Sequence, residues 1–120
     1  MSGSINIDSI PKDGPYSHGV VSGNFVFLSG QTGQVQNEVL NFDQQFGNSI
    51  EKIRKVLEAA GCTLENVVKI SVYLAYRGDL HRMNDLFGRY FPNNPPARTT
   101  LVTGFTSDGV LVEIDATATK

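Results

Sequence analysis

The chain has 120 residues, and its composition of 40% apolar and 18% charged residues excludes wholesale disorder and fits one domain over residues 1–120. Its 10 basic and 12 acidic residues give a net charge of −2, so we expect no nucleic-acid partner, which would need a concentrated basic surface. Apolar runs such as residues 25–28 are far too short to cross a membrane, so we expect no membrane partner.

The start of the chain and its cysteine content indicate a compartment. Signal peptides combine a basic region with an apolar core, and residues 1–6 carry neither. Cys62 is the only cysteine, which excludes an internal disulfide. Both features are typical of proteins in a reducing compartment, and we expect this protein to be cytoplasmic.

Turn residues and apolar spacing predict the elements of the first half. Residues 1–17 contain two prolines and should be mostly irregular. β-Branched and aromatic residues on both sides of Gly23-Asn24 predict a β-hairpin over residues 20–28. Apolar residues spaced four, three and four apart predict a helix over residues 43–60, and Gly61 is placed to end it in a left-handed conformation.

A strand and a second helix follow. Alternating apolar residues predict the strand over residues 67–75. A second apolar stripe predicts the helix over residues 79–91, with Asp79 as its N-cap and Pro92 directly after it.

Two closing strands complete the predicted order β-β-α-β-α-β-β, which is an α+β fold. They span residues 99–105 and 110–118, and the tight-turn signal of Asp108-Gly109 predicts that they form a hairpin. Two helices can cover only one face of such a sheet. The opposite face is then covered either by water or by a partner subunit.

Several common kinds of site are disfavoured. His18, His81 and Cys62 are the imidazole and thiol ligands of the chain, and none stands at a paired spacing, so we expect no metal ion. Basic residues of the first helix alternate with acidic ones, which predicts a solvated helix face; they are Lys52, Arg54 and Lys55.

Two charged residues stand out on chemistry alone. Arg98 follows Pro95-Pro96 and opens a strand, and a pre-organised guanidinium suits a carboxylate through two parallel hydrogen bonds. A surface ion pair is the alternative interpretation of Arg98. Glu113 lies among apolar residues in mid-strand, where a carboxylate must be paired, hydrogen-bonded or functional.

The predicted hairpin separates Arg98 from Glu113. A two-residue turn at Asp108-Gly109 would place them about six residues apart along the ladder, which is roughly 20 Å. One site can then use both residues only if it straddles a subunit interface.

Four segments in this order carry a family resemblance. They are Gly14-Pro15-Tyr16-Ser17, Ser29-Gly30-Gln31, residues 57–61 with 67–69, and Pro96-Ala97-Arg98 followed by Glu113-Ile114. The ordered set extends over nearly the whole chain and resembles the RidA (YjgF) family of reactive-intermediate deaminases. Met83-Asn84-Asp85 is similar to part of that family's second helix.

The resemblance implies a fold and an activity. It implies a chorismate-mutase-like α+β subunit with two helices on one face of a mixed sheet, assembled as a homotrimer around a central β-barrel. Clefts would lie at the subunit boundaries. The implied reaction is hydrolysis of enamines and imines, such as 2-aminoacrylate and 2-iminopropionate, to a 2-keto acid and ammonia, without a metal or organic cofactor.

The resemblance also implies roles for particular residues. Arg98 would clamp the substrate carboxylate, and Glu113 would orient or activate the hydrolytic water. The implied substrate-binding residues are Tyr16, Ser29, Gly30, Asn84 and Thr100.

Departures from the family pattern keep alternatives open. Many bacterial members carry cysteine where this chain has Thr100, and the loop after Ser29-Gly30-Gln31 is shorter than usual. A non-catalytic module that binds 2-keto acids or related metabolites is one alternative. A protein-interaction role, chaperone-like or ribonuclease-like, is the other.

Overall fold

Within residues 2–120, which the computed structural model describes, six strands form one mixed β-sheet and two α-helices lie against one of its faces. The strands are β1 (Ser2–Ile5), β2 (Gly19–Ser22), β3 (Phe25–Thr32), β4 (Val67–Leu74), β5 (Ala97–Val102) and β6 (Val112–Thr119). The helices are α1 (Phe42–Ala59) and α2 (Leu80–Tyr90), and two short 3₁₀ turns cover Leu64–Asn66 and Arg77–Asp79. The strand order in the sheet is β1-β2-β3-β6-β4-β5.

The predicted hairpin and first helix are confirmed. β2 and β3 pair antiparallel around Gly23-Asn24. Asn41 caps α1 by accepting a hydrogen bond from the Gln44 backbone N–H, and the Gln44 side chain accepts one in return from the Asn41 N–H. Gly61 has φ +76°, the left-handed conformation in which glycine avoids a steric penalty.

Two local predictions hold only in part. Most of residues 2–17 are irregular, as predicted, but residues 2–5 form β1, which pairs antiparallel with β2. Serine and glycine give β1 no alternating pattern, so its main-chain ladder is what defines it as a strand. Asp79 does occupy the N-cap position of α2, but its side chain makes no capping bond, because the 3₁₀ turn Arg77–Asp79 runs directly into α2 and holds Asp79 in a helical conformation.

The predicted hairpin between the last two strands is also wrong. β5 pairs parallel with β4 through the crossover helix α2, and β6 lies between β3 and β4. Parallel neighbours need such a crossover, whereas a turn signal constrains only a few residues. Gly109 does adopt a turn conformation with φ +80°, but it lies within a longer loop over residues 103–111.

The core lies between the helices and alternate residues of the central strands. On β6 the predicted alternation is confirmed: the buried set is Val112, Ile114, Ala116 and Ala118, and the half-buried set is Glu113, Asp115, Thr117 and Thr119. The second set lies on the face away from the helices, which we call the uncovered face. Phe25 and Phe27 flank the buried Val26 and are each 47% exposed there, and their rings stack at 5.9 Å. Exposed aromatic surface of this kind is typical of a contact surface for another protein.

One buried side chain fastens two loops to α1. The Gln45 side-chain NH2 group lies within hydrogen-bond distance of three acceptors, Gln34 Oε1 at 2.9 Å, the Leu40 carbonyl at 3.2 Å and the Gly109 carbonyl at 2.9 Å, so one of its two hydrogens is shared. Its Oε1 accepts from the Leu111 N–H at 2.9 Å. Gln45 thus connects the loop over residues 33–41 with the loop over residues 103–111.

Neither helix of the described residues combines the length and the hydropathy that a membrane span requires.

Candidate active site

A cleft of about 840 Å³ lies at the end of β3. Four of the predicted site residues line it together: Tyr16, Ser29, Gly30 and Glu113. Its remaining lining is largely polar and comes from the segment before β2, from α1 and from the two loops that Gln45 connects. The structure therefore brings together four of the seven predicted site residues.

A break in the β3–β6 ladder shapes the floor of this cleft. The pairing shifts between Leu28 and Gln31, which leaves Ser29 and Gly30 outside the regular register. Ser29 is held instead by the segment before β2: its N–H donates to the His18 carbonyl at 2.9 Å, and its hydroxyl donates to the Ser17 carbonyl at 2.6 Å.

Gly30 leaves space for the Glu113 carboxyl. A Cβ at residue 30 would lie 2.5 Å from Oε2 of Glu113, closer than non-bonded atoms can approach. The absence of a side chain at Gly30 therefore allows the carboxyl to lie directly over the floor of the cleft.

The Glu113 carboxyl is half-buried and has no ion pair with any residue between 2 and 120. Burial raises its pKa above the ordinary glutamate value, and the nearby carboxylates Asp115 and Asp13 raise the pKa further. A carboxyl whose pKa is raised toward neutrality can both accept and donate a proton, which is the requirement for acid–base work on a ligand.

Tyr16 forms part of the cleft wall. Its hydroxyl donates to Asp13 Oδ1 at 2.9 Å. Burial and this hydrogen bond to a carboxylate both raise the pKa of the Tyr16 phenol, so it stays protonated at neutral pH. The phenol oxygen keeps its lone pairs and can accept a hydrogen bond from a ligand.

The other predicted residues form a second group, away from the cleft. Arg98 and Thr100 lie on the edge strand β5, and Asn84 lies exposed on α2 next to Met83. Arg98 Nη1 donates to the Met83 sulfur at 3.7 Å, and the guanidinium carbon lies 4.9 Å from the centroid of the Phe87 ring. The Thr100 hydroxyl oxygen is buried without a hydrogen-bond partner in the part of the chain that the structure describes.

The Arg98 guanidinium is held by uncharged groups. No carboxylate of residues 2–120 lies within 4.0 Å of it, so the surface ion pair considered from the sequence does not form in this subunit. A cation stacked on an aromatic ring keeps the edge of its guanidinium free for a carboxylate ligand.

Arg98 and Glu113 lie on opposite faces of the sheet. Arg98 contacts α2, whereas Glu113 lies on the uncovered face. Arg98 is level with Ile70 on β4, and Ile70 is opposite Ala116 on β6. The Cα atoms of Arg98 and Glu113 are therefore separated by two strand spacings across the sheet and by three residues along β6, which is roughly 14 Å. The wrong hairpin register gave roughly 20 Å.

Lys52 and Asp13 also line the cleft, although neither is among the site residues predicted from the sequence. The prediction of a solvated helix face is wrong for Lys52, which is half-buried. A signal for it existed: Gln45, Ser49 and Lys52 are spaced four and three apart, which places polar groups along an otherwise buried stripe of α1. Within residues 2–120, no cluster of three or more acidic, histidine or cysteine side chains is arranged to hold a metal ion.

Two helices on one face of a mixed sheet, with a polar cleft at the end of β3, define a chorismate-mutase-like α+β protein. Residues 6–120 match the model of the family described as endoribonuclease L-PSP. The chain belongs to this family, which is also called RidA or YjgF, and the predicted resemblance is confirmed.

Relatives and solved structures agree with this assignment. A RutC family protein of Saccharolobus solfataricus is 42% identical over 118 residues, covering 94% of each chain. The 2-iminobutanoate/2-iminopropanoate deaminase of Homo sapiens is 33% identical over 112 residues, covering 88% of this chain and 80% of that protein. The crystal structure of RidA from the Antarctic bacterium Psychrobacter sp. PAMC 21119 has a TM-score of 0.89 at 30% identity, over 98% of this chain and 99% of that one.

Proposed function

We propose that this protein hydrolyses reactive 2-enamino and 2-imino acids, of the 2-aminoacrylate and 2-iminopropionate type, to 2-keto acids and ammonia. The observation that carries the proposal is the unpaired Glu113 carboxyl over Gly30, whose pKa is raised by burial within a ligand-sized cleft. The name of the human relative supports the same reaction class.

The chemistry needs few protein groups because an imine carbon is already electrophilic. Water adds to C2 of the imine, and Glu113 accepts a proton from that water as the new C–O bond forms and passes it to the imine nitrogen, which gives a 2-amino-2-hydroxy acid. As the C–N bond then breaks, the hydroxyl group loses its proton to Glu113 and the nitrogen takes that proton and leaves as ammonia, so that the 2-keto acid and the ionised Glu113 remain. Arg98 binds the substrate carboxylate through two parallel hydrogen bonds and fixes C2 beside the water.

The complete site requires more than one subunit. Since Arg98 and Glu113 lie on opposite faces of one sheet, we propose that Arg98 of one subunit reaches the cleft of its neighbour, with Thr100 and Asn84 beside it. The exposed Phe25 and Phe27 on the uncovered face support a homotrimer in which three sheets enclose a central barrel.

A coupled assay tests the proposed reaction. Threonine dehydratase generates the imine from serine or threonine, and semicarbazide competes for it. We expect the protein to lower the initial rate of semicarbazone formation and to raise the yield of free 2-keto acid correspondingly; ammonia is not a useful readout, because trapping by semicarbazide releases it as well. A protein with no effect on either quantity, across small and bulky precursors, would contradict the proposal.

Binding and RNA-cleavage assays on the same preparation distinguish the deaminase from the alternative functions. A non-catalytic module would bind a 2-keto acid in calorimetry but leave semicarbazone formation unchanged. A ribonuclease-like member would cleave RNA, which the described cleft does not favour because Asp13, Asp108 and Glu113 outnumber its cations Lys12 and Lys52.

Replacing Gly30 with alanine is expected to lower kcat/KM by about 10²-fold, because the new methyl group displaces the Glu113 carboxyl from its position over the floor. The contacted atom is the end of a flexible side chain, so we expect the melting temperature to change little. Gly3→Ala is the matched control, since nothing lies within 4 Å of a Cβ there. Full activity of Gly30→Ala would show that the carboxyl's position is unimportant.

A further inference from the structure

Lys52 places a positive charge in the cleft that no anion of the described residues compensates. Its Nζ donates to the Thr32 carbonyl at 2.8 Å, and no carboxylate of residues 2–120 lies within 4.0 Å of it. Burial lowers the pKa of the ammonium, because a desolvated cation is destabilised. Half-buried lysines are ordinarily paired, so this unpaired ammonium is suited to an anionic ligand.

The ammonium lies close to the proposed reaction centre. Thr32, whose carbonyl it contacts, is the Cα partner of Glu113 across the β3–β6 ladder, a separation of roughly 5 Å between Cα atoms. Lys52 and Glu113 line the same cleft without forming an ion pair. A small ligand can therefore contact both side chains.

The rest of the lining favours a polar substrate. Beyond Glu113 the wall is formed by amide and hydroxyl side chains: Gln34, Gln36, Asn37, Thr106 and Ser107. The cleft also presents apolar surface, to which Pro11, Val110 and the ring of Tyr16 contribute. The many amide and hydroxyl groups around it can hydrogen-bond a polar substrate side chain, which a branched or aromatic one could not use.

The other charges of the cleft act more weakly on a bound ligand. Asp13 and Asp108 are exposed, and the Asp13 carboxylate accepts the Tyr16 hydroxyl. Lys12 is exposed and bonded to the Asn6 side chain. Exposed charges are screened by solvent and salt, whereas a half-buried charge is screened much less. Apart from Glu113, which is also half-buried and is already assigned to proton transfer, Lys52 is therefore the charge in the cleft with the largest expected influence on substrate choice.

We propose that Lys52 binds a second anionic group of the substrate, so that the preferred substrates are 2-imino dicarboxylates, such as the imines of aspartate and glutamate. This assignment rests on the proposed function. The carboxylate next to the imine carbon would be held by Arg98 of the partner subunit, C2 would lie over Gly30 beside Glu113, and the distal carboxylate would contact the Lys52 ammonium.

The test compares two imines under one assay format. Amino-acid oxidases, with catalase to remove peroxide, generate 2-iminosuccinate from D-aspartate and 2-iminopropionate from D-alanine, and semicarbazide competes for each. The quantity measured is the ratio of kcat/KM for the acidic imine to kcat/KM for the neutral one. We expect this ratio to exceed one in the natural protein and to fall about tenfold in Lys52→Gln, the loss expected for one hydrogen bond to a charged group.

The variants separate charge from structure. The glutamine of Lys52→Gln can still donate to the Thr32 carbonyl, so a purely structural role for Lys52 would leave the ratio unchanged. Lys52→Arg keeps the positive charge and is expected to keep the preference for the acidic imine. Loss of that preference in Lys52→Arg would overturn the role of the charge, so the proposal stays testable even if Lys52→Gln folds poorly. Lys55→Gln removes a charge from an exposed position of the same helix and should behave as the natural protein.

The outcomes distinguish this inference from the proposed function. Hydrolysis of both imines with no acidic preference, or an equal effect of Lys52→Gln on both, would overturn the role of Lys52 and leave the deaminase proposal standing. If neither imine is hydrolysed, the deaminase proposal fails, and calorimetry with 2-oxoglutarate and 2-oxobutyrate then decides the inference. Tighter binding of the dicarboxylate that is lost in Lys52→Gln would support the second anion site, and equal binding would overturn it.

Discussion

Replacing Glu113 with glutamine is expected to lower kcat/KM for imine hydrolysis by about 10²–10⁴-fold, the usual contribution of a positioned acid–base group. Glutamine fills the same space over Gly30 but neither accepts a proton from water nor donates one to nitrogen. The coupled semicarbazide assay measures the loss. Undiminished turnover in Glu113→Gln would remove Glu113 from the proposed mechanism.

The same substitution should change the pH profile. In the natural protein the active form of Glu113 is the carboxylate, so activity rises with pH through a pKa that burial, Asp115 and Asp13 hold above the ordinary glutamate value. We expect Glu113→Gln to lose this acid limb. Asp115→Asn removes one of the charges that raise the pKa of Glu113, and it should move the limb to lower pH.

Stability should respond in the opposite direction from activity. Because the pKa of Glu113 is higher in the folded than in the unfolded state, the folded state binds this proton more tightly, and its stability falls as pH rises through that interval. At neutral pH the buried carboxylate is therefore destabilising. Glu113→Gln should therefore have a higher melting temperature than the natural protein at pH 7, and the difference between the two melting temperatures should become smaller in acid. A lower melting temperature of Glu113→Gln at pH 7 would contradict this account.

Replacing Arg98 with alanine is expected to lower kcat/KM by about 10³-fold, because two charged hydrogen bonds to the substrate carboxylate are lost. The kcat/KM of Arg98→Lys should lie between those of the natural protein and Arg98→Ala, since lysine keeps the charge but not the planar guanidinium that stacks on Phe87. Calorimetry with 2-oxobutyrate provides a readout independent of turnover. Unchanged binding in Arg98→Ala would contradict the clamp.

A mixing experiment tests whether each site is shared between subunits. Arg98→Ala and Glu113→Gln are each expected to be almost inactive alone. When equal amounts of the two variants are dissociated and reassembled, one half of the clefts contain an intact Glu113, and one half of these have a neighbour with an intact Arg98. About one quarter of the sites are then complete, so about a quarter of natural activity should return. Sites contained within one chain would regain nothing.

The parts of the fold that were predictable are those with a repeating local pattern. α1 follows from the spacing of its apolar residues and from Gly61, and β6 follows from its strict alternation. The same alternation identified Glu113, because a carboxylate among apolar residues in mid-strand needs a special environment. These signals lie within single elements and do not depend on which elements become neighbours.

The placement of β5 could not be read from such signals. Asp108-Gly109 is a valid turn signal, and Gly109 does have a positive φ, but the partner of β5 is decided by the crossover through α2. The predicted order of strand, helix and strand over residues 67–105 already allowed a parallel pair. It stays a prediction that Arg98 and Glu113 share a site only across a subunit interface. The hairpin register no longer supports this prediction, but the position of the two residues on opposite faces of the sheet does.

The buried amide of Gln45 has a consequence for how the cleft can diverge among related proteins. Both walls of its mouth, residues 33–41 and 103–111, are fastened to the same side chain. A change of backbone path in one loop is transmitted to the other through that amide, so paired substitutions in the two loops should have non-additive effects. Exchanges confined to exposed side chains of the cleft wall that do not contact Gln45, such as Gln36 and Ser107, leave the anchor intact, and ligand preference can diversify there without remodelling the scaffold.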